Sequence, residues 1–494
     1  MKISSLTFPS LKSSLCLSLL GATTAFAQAP LHLDPLAPNV GVEASDVAYV
    51  PAKPGEIPNI PLLDENGRQL IPGGFVVLEK VPYTTEDYKR MVRMGANFQV
   101  IRMPVGMIGG WPGTEEDPAI LKQFDDYVRM GKEAGLQTIF KMVFYGIQPH
   151  VENKKWEMIW SNTEGTQDKI LAGWTRIWER YKDEPTVFGY DLLNEPARGM
   201  TNDYERIQAE QNFPFQRRMT DAMHAISPEK WALFQPLLRK PEDQPTRHRD
   251  PVLPPTESFD RDRVIYAPHI YQMDTSVIAM QLDNLQRQAA LSNAPLLLGE
   301  WGSPTLNNTD GNSKQEARFT RVYEFTVNEI DKRGVGGIKP WFSGGPRHIP
   351  LGNDKWMTWA IFSDESPAGQ VERAYITDVI ARPRPLVVAG RIQDFGNHFG
   401  TNTFEMTLQI DPALGATEIF IPMERHYPDG FRLEIGPGLI LKKVPGSSRF
   451  LGMHAASKAD SKQAKQIQWD DSAQRLTIQK WIGEARTLTV KIRP

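Results

Sequence analysis

The chain has 494 residues, of which 40% are hydrophobic and 23% charged, and its formal net charge is −3. A chain of this length exceeds what one hydrophobic core usually supports, so we expect two domains of ordinary globular character. The near-neutral charge excludes the strongly basic surface that dominates nucleic-acid-binding domains, and we expect no nucleic acid partner. The same balance provides no overall attraction to an anionic membrane.

The first 27 residues have the pattern of an export leader. Lys2 and Lys12 precede a short apolar run at residues 15–20, and small residues surround an A-x-A triplet at residues 25–27. This pattern predicts cleavage after Ala27 and a secreted or periplasmic protein. A membrane anchor is the alternative reading, but it needs about 20 apolar residues. We therefore expect no stable membrane insertion.

The sequence contains one cysteine, Cys16, which lies inside this leader. After cleavage the protein would have no disulfide and no cysteine ligand for a metal. The nine histidines include no His-x-His pair. A metal-dependent hydrolase, which needs clustered ligands at strand ends, is therefore the weakest interpretation, and we expect no cofactor.

Residues 28–60 are rich in proline and predict an extended N-terminal segment. Residues 61–382 alternate between short apolar runs and amphipathic stretches. The expected strands are 74–79, 98–102, 137–143, 187–193, 231–236, 263–270, 295–300 and 337–342. The expected helices include 86–94, 120–134, 169–181, 281–291 and 316–332. Eight buried strands separated by helices predict an α/β fold, a (β/α)8 TIM barrel. A doubly wound open sheet is the competing fold, but the sequence lacks the glycine-rich phosphate loop that usually follows its first strand.

The pattern changes at residues 383–494, where apolar and polar residues alternate. The expected strands are 403–410, 417–422, 431–435, 440–444, 466–469, 475–480 and 487–492. Seven short strands without a predicted helix indicate a C-terminal antiparallel β-sandwich domain.

Two glutamates end apolar strands of the predicted barrel. Glu195 follows the fourth strand in the run Asn194-Glu195-Pro196, and Glu300 ends the seventh. The catalytic groups of such barrels lie at the carboxyl ends of the strands, so these side chains should face one cavity. Paired carboxylates are the minimal machinery for glycoside hydrolysis, with retention or inversion set by their separation. A single glutamate at a strand end is more often an ion-paired surface group.

Four further residues at strand ends fit the same site. His269 and Tyr271 lie two apart at the end of the sixth strand, so they share a face. His269 can then hydrogen-bond near Glu195 or the leaving group, and Tyr271 can donate to Glu300. Arg102 ends the second strand, and a guanidinium beside Glu300 would lower its pKa. Trp341 follows the eighth strand, where an indole suits a sugar face. Each of these four residues alone has an ordinary structural explanation.

The ordered motifs 194–196, 269–271 and 299–302, with Arg102 and Trp341, resemble those of glycoside hydrolase family 5, the cellulase-like retaining glycosidases. The resemblance implies that Glu195 is the acid/base and Glu300 the nucleophile. It also implies that Asn194 contacts the sugar 2-hydroxyl and that Trp341 lies under the sugar. Residues 73–83, 90–95 and 382–390 resemble the endoglycoceramidase-like branch, which removes glycans from ceramide or related lipids and has a C-terminal β-sandwich.

The third strand departs from the family pattern. Family members usually carry Asp-x-His at its end, whereas this chain reads Lys141-Met142-Val143, and His150 from the following loop is a candidate substitute. The first strand also lacks the usual Gly-x-Asn. These changes fall among the sugar contacts and leave the substrate open, either a β-glucan or a glycolipid-like β-glycoside. They also motivate the alternative of a non-catalytic carbohydrate- or glycolipid-binding protein on a degenerate barrel.

Overall fold

A computed structural model of the chain describes residues 52–53, 55–144, 152–238, 252–255, 257–344, 349–352 and 355–494. The predicted leader, most of the predicted proline-rich segment and His150 lie outside the described residues. The strands are β1 Gln69–Leu70, β2 Gly73–Val77, β3 Phe98–Pro104, β4 Gln137–Val143, β5 Val187–Asp191, β6 Trp231–Phe234, β7 Val264–Tyr266, β8 His269–Tyr271, β9 Leu297–Leu298, β10 Glu300–Gly302, β11 Thr305–Leu306, β12 Gly336–Lys339, β13 Ile349–Gly352, β14 Lys355–Thr358, β15 Arg384–Val388, β16 Gly390–His398, β17 Thr403–Ile410, β18 Thr417–Phe420, β19 Phe431–Ile435, β20 Leu439–Lys443, β21 Phe450–Ala455, β22 Ile467–Asp470, β23 Arg475–Ile478 and β24 Arg486–Arg493.

The α-helices are α1 Thr85–Arg93, α2 Pro118–Ala134, α3 Glu152–Trp160, α4 Thr166–Tyr181, α5 Tyr204–Ile207, α6 Phe213–Ile226, α7 Thr275–Leu291, α8 Ser313–Asp331, α9 Ala374–Ile380, α10 Met423–His426 and α11 Lys458–Ala464. Local signals set their ends. Helix α1 begins with a reciprocal capping box between Thr84 and Asp87. Helix α2 begins with the Asp117 cap and Pro118, and it ends at Gly135, whose φ of 80° suits glycine. None of the described helices is long and apolar enough to cross a membrane.

The N-terminal part is the predicted (β/α)8 barrel. Eight parallel strands lie side by side in the order β7-β6-β5-β4-β3-β2-β12-β9. A parallel bridge between Tyr266 and Leu296 joins the two ends of this sheet and closes it. Beyond the bridge, β8 and β10 continue the sixth and seventh barrel strands as a short parallel pair. All eight predicted strands coincide with strands of the structure, so the predicted fold class is confirmed.

The C-terminal part is the predicted antiparallel domain, and its two sheets enclose a second hydrophobic core. One sheet has the order β16-β17-β24-β19-β20-β21, and the other has the order β1-β15-β18-β23-β22. The prediction missed β15, β16 and β21, and the expectation of no helix was wrong for α10 and α11. Strand β1 comes from the N-terminal side of the barrel, yet it pairs antiparallel with β15. The two parts of the chain therefore share a sheet.

Candidate active site

Glu195 lies just beyond the fourth barrel strand, in a backbone conformation that holds its side chain over the barrel. Its φ is 51°, a left-handed value uncommon for a residue with a side chain. The Glu195 N–H donates to Gln235 Oε1 at 3.0 Å, and Asn194 N–H donates to the Met142 carbonyl at 3.1 Å. These two bonds tie the Asn-Glu pair to the third and fifth barrel strands. Glu195 is 8% exposed.

Glu300 and His269 are direct neighbours, because the parallel pairing of β8 and β10 sets them side by side. His269 Nδ1 lies 2.9 Å from Glu195 Oε1. The contacts expected from the sequence are thus present: His269 meets Glu195, and the Tyr271 hydroxyl donates to Glu300 Oε2. The structure thus places His269 in contact with Glu195 and beside Glu300 on the neighbouring strand.

Lys141, on β4, contacts several of these residues. Its ammonium lies 2.9 Å from Glu300 Oε1, 3.1 Å from the Gly299 carbonyl and 3.3 Å from His269 Nε2. An ammonium can only donate, so His269 Nε2 accepts and its Nδ1–H donates to Glu195. Lys141 therefore favours the tautomer of His269 with a bare Nε2 and the ionised form of Glu300. Lys141 is the departure from the family pattern on the third strand, and it is a site residue that was not predicted from the sequence.

Asp191 is a second buried carboxylate on the same lysine. Its Oδ2 lies 3.7 Å from Lys141 Nζ, and both of its oxygens accept from Gln235 Nε2 at 2.9 Å. Burial raises the pKa of Asp191, although the Lys141 charge opposes that shift. Gln235 thus holds Asp191 with its amide nitrogen and the Glu195 backbone with its amide oxygen.

The surroundings of Glu300 favour its ionised form. Burial alone would raise its pKa, but the charge of Lys141, together with hydrogen bonds from Lys141 and Tyr271, lowers the pKa of Glu300 well below its ordinary range. A carboxylate that stays ionised in a partly closed cavity is suited to act as a nucleophile.

Arg102, which the sequence places beside Glu300, has a carboxylate partner in Glu79. Its guanidinium forms a two-pronged pair with Glu79, with N–O distances of 2.8 and 2.6 Å. Glu79 lies just after β2, next to β3 in the barrel, so the guanidinium finds a carboxylate on the neighbouring strand. The cation on Glu300 is Lys141, from the strand on the other side of β3.

Asn194, Trp341 and Tyr271 are the remaining site residues predicted from the sequence. Asn194 is 6% exposed, and its Oδ1 has no hydrogen-bond partner among the described residues. A buried amide oxygen without a partner is suited to receive a hydroxyl from a ligand. Trp341 is half-buried and packs against Trp359, with ring centroids 5.6 Å apart. The Tyr271 ring packs against Trp359 as well, at a centroid distance of 5.4 Å. Among the described residues no group of His, Cys, Asp or Glu side chains is placed to hold a metal ion.

Comparison with known proteins matches two family models to the chain. "Cellulase (glycosyl hydrolase family 5)" matches residues 63–336, and "Glycoside hydrolase family 5 C-terminal domain" matches residues 382–492. The first range contains Glu195 and Glu300, and the second coincides with the antiparallel domain.

Individual relatives are more distant. Endoglycoceramidase I of Rhodococcus hoagii (strain 103S) is 23% identical over 321 residues, which cover 61% of this chain and 58% of that protein. The chain spans less than two thirds of the length of the curated relatives it matches. Among solved structures, endo-glycoceramidase II from Rhodococcus sp. has a TM-score of 0.63 at 20% identity, covering 88% of this chain and 99% of that one. Sterylglucosidase 1 of Cryptococcus neoformans has a TM-score of 0.62 at 12% identity, covering 90% and 98%. These structures share the fold.

Proposed function

The chain belongs to glycosyl hydrolase family 5, and from that premise we propose that it is a retaining β-glycosidase with Glu300 as nucleophile and Glu195 as acid/base. The observation that carries the proposal is that His269 contacts Glu195 and is the strand neighbour of Glu300, while Lys141 contacts both His269 and Glu300. The two carboxylates therefore lie beside the same histidine but differ in their electrostatic surroundings, which is the requirement for two distinct roles.

In the first step a Glu300 oxygen attacks the anomeric carbon while Glu195 gives its proton to the departing glycosidic oxygen. The C–O bond to the aglycone breaks, and an ester between Glu300 and the sugar forms. In the second step Glu195 takes a proton from water, the water oxygen attacks the anomeric carbon, and Glu300 leaves as a carboxylate. His269 keeps Glu195 in position through Nδ1–H, and the hydrogen bond from Tyr271 to Glu300 breaks or weakens when the ester forms. Asn194 Oδ1 accepts the sugar 2-hydroxyl, and Trp341 stacks under the ring.

For the substrate we propose a β-glycoside with a lipid aglycone, hydrolysed outside the cytoplasm. The relatives whose names mention ceramide or sterol glycosides support a lipid aglycone, as do the indoles of Trp341 and Trp359, since Trp359 packs against Tyr271, the donor to Glu300. The leader predicted from Lys2 to Ala27 supports secretion or a periplasmic location. A β-glucan is the competing substrate.

Replacement of either carboxylate tests the mechanism. Glu300→Gln and Glu195→Gln each should lower kcat/KM for an aryl β-glycoside at least about a hundredfold, because each removes one partner in the proton and bond transfers. Proton NMR of the first product should show the β-anomer, and a slow 2-fluoro glycoside should label Glu300, as peptide mass spectrometry would detect. The α-anomer as first product, or wild-type rates in both variants, would contradict the proposal.

A matched control separates carboxylate chemistry from damage to the fold. Glu329 is another buried glutamate and is 4% exposed. It lies on helix α8, away from the strand ends, and pairs with Arg333 just after the helix. Glu329→Gln should lower stability but leave kcat/KM within about twofold. The substrate class is then read from the products that mass spectrometry finds after incubation with a panel of glycolipids and β-glucans.

Binding without catalysis is a second candidate, favoured by the position of Lys141. A lysine at the end of the third strand changes the charge of the cavity relative to the family pattern of Asp-x-His. A binding protein would hold glycosides from the same panel with measurable affinity and release no product. Labelling of Glu300 by the 2-fluoro glycoside would exclude it, because that reaction needs a working nucleophile.

A further inference from the structure

Strand β21 is an edge strand with apolar side chains exposed to solvent. Among the described strands it pairs with β20 alone, at the end of the six-stranded sheet. Leu451 and Met453 are 54% and 55% exposed, and they are two of the five large apolar side chains that the described residues leave exposed. All of residues 451–459 are exposed. Two exposed apolar side chains on one strand form an apolar patch of the kind that marks an interaction site.

A row of cations runs across the outer face of the same sheet beside Leu451. Leu451 is opposite Lys442, Lys442 is opposite Arg432, and Arg432 is opposite Arg493. Directly opposed residues of antiparallel strands project on the same face, so the four side chains lie in line across four strands. Glu434 accompanies this row and pairs with Arg432 at 2.9 Å and Arg493 at 3.8 Å.

The sequence around the edge is also strongly basic. Residues 439–466 contain six lysines and arginines and one acid, Asp460, in a chain whose net charge is −3. Five of these cations have exposed positions: Lys442, Arg449, Lys458, Lys462 and Lys465. The net charge of the whole chain provides no overall attraction to an anionic membrane, yet this edge of the sheet is locally positive.

We propose that this edge, formed by strand β21 with the adjoining cations, docks on the surface of an anionic lipid bilayer. Exposed apolar side chains surrounded by lysine and arginine are the combination that peripheral proteins use at lipid interfaces. The apolar groups enter the interface, while the cations are attracted to the lipid headgroups.

A second copy of the chain fits this edge less well than a bilayer. The pairing of β20 with β21 shifts at a bulge, where Met453 has no partner residue. Bulges twist an edge strand away from regular pairing with another strand. Edge-to-edge association would also bring the Arg449 and Lys442 cations of two copies together, and like charges in close contact disfavour binding.

Sedimentation of the purified chain with vesicles tests the proposal. The chain should bind phosphatidylcholine vesicles that contain phosphatidylglycerol, bind pure phosphatidylcholine far more weakly, and dissociate as salt is raised. The variants Leu451→Ser/Met453→Ser and Lys442→Gln/Arg449→Gln should each lower the partition coefficient about tenfold or more. Equal binding to both vesicles, or wild-type binding by both variants, would overturn it.

Matched substitutions elsewhere control for surface chemistry as such. Leu291, at the end of α7, is 61% exposed, and the Lys122 side chain on α2 is 78% exposed. Leu291→Ser and Lys122→Gln should leave vesicle binding unchanged, and all variants should keep the wild-type far-UV spectrum and turnover of a soluble aryl β-glycoside. A dimer in sedimentation velocity without lipid, lost in Leu451→Ser/Met453→Ser, would assign the edge to a second copy and overturn the proposal. The vesicles contain no glycolipid, so the result does not depend on the proposed glycosidase activity.

Discussion

The Lys141 ammonium contacts three acceptors, and each comes from a different part of the site: the Glu300 carboxylate, the Gly299 carbonyl and the His269 ring. Its side chain is 1% exposed, as is that of Asp191. Removal of one partner from a buried charge cluster leaves the remaining carboxylates uncompensated in a medium of low polarity. The protonation state of Glu300 therefore depends on Lys141.

Lys141→Met, which keeps the length of the side chain and removes its charge, tests this dependence. Lys141 holds the pKa of Glu300 down, so its loss should raise that pKa, and Glu300 should become protonated, and inactive as a nucleophile, at higher pH than in the wild type. We expect the acidic limb of the kcat/KM profile to move to higher pH, with a loss of at least about tenfold at neutral pH. Lys122→Met should leave the profile unchanged. An acidic limb that stays in place in Lys141→Met would assign Lys141 a purely structural role.

The residues that could be predicted from the sequence are those at strand ends whose side chains can act as acids, bases or hydrogen-bond donors. The contacts of His269 with Glu195 and of Tyr271 with Glu300 follow from counting strands, and the structure contains both. The pairing of Arg102 with Glu79 was not predicted, because it depends on the side-by-side register of the barrel strands. Lys141 was missed as a site residue because a lone cation ending an apolar strand is usually an ion-pair partner on the surface.

At the scale of elements, the end of helix α8 and the linker to the second domain are joined by buried charge. Arg382 donates to both oxygens of Asp331 at 2.7 and 2.5 Å, and Asn397 Nδ2 lies 3.3 Å from the same carboxylate. The side chains of Arg382 and Asp331 are 7% and 2% exposed. The pair therefore connects α8, the linker and strand β16.

Arg382→Met should lower the free energy of unfolding by about 3 kcal/mol or more, because it leaves the Asp331 carboxylate buried without its cation. Urea denaturation measures the change. The double variant Arg382→Met/Asp331→Leu should recover part of the loss, since it also removes the unpaired charge. Arg129→Met, in the exposed pair with Glu133, should change stability by less than about 1 kcal/mol. A double variant no more stable than Arg382→Met would show that the effect is not electrostatic.

The elements that were predicted correctly are those with an unambiguous local pattern. The eight barrel strands are continuous apolar runs between amphipathic helices, as in residues 137–143 and 187–193. Strand β15 was missed because its sequence begins Arg384-Pro385, and proline usually marks a break. Strand β21 was missed because an exposed edge strand with Gly452 in its middle lacks the alternation of a half-buried strand.

At the scale of the whole molecule, the second domain makes direct contacts with the barrel. The Arg384 guanidinium donates to the carbonyls of Gly95 and Ile71 in the barrel at 2.7 and 2.5 Å. Gly95 is close to the ring of Phe420 from the antiparallel domain, so that even a methyl group at residue 95 would contact that ring at 2.7 Å. The boundary that the sequence placed at residue 382 is thus crossed by direct contacts.

A chain ending at residue 382 should therefore be insoluble or lack a cooperative unfolding transition, and the full chain should unfold in one calorimetric step. Truncation removes the strand that pairs with β1 and leaves buried carbonyls and apolar surface exposed. Addition of residues 383–494 in trans should restore part of the soluble material. A truncated chain that is soluble, folded and as active as the full chain would contradict this expectation.

The pairing of β1 with the second domain also constrains the order of events in folding. The Ile392 N–H donates to Gln69 Oε1 at 2.8 Å across 323 residues of chain. At ordinary rates of translation these two residues leave the ribosome on the order of tens of seconds apart. During that interval β1 lacks β15, the strand it will pair with in the second domain. Completion of the native structure is therefore a late, long-range closure, and until it occurs the nascent protein remains a client for chaperones.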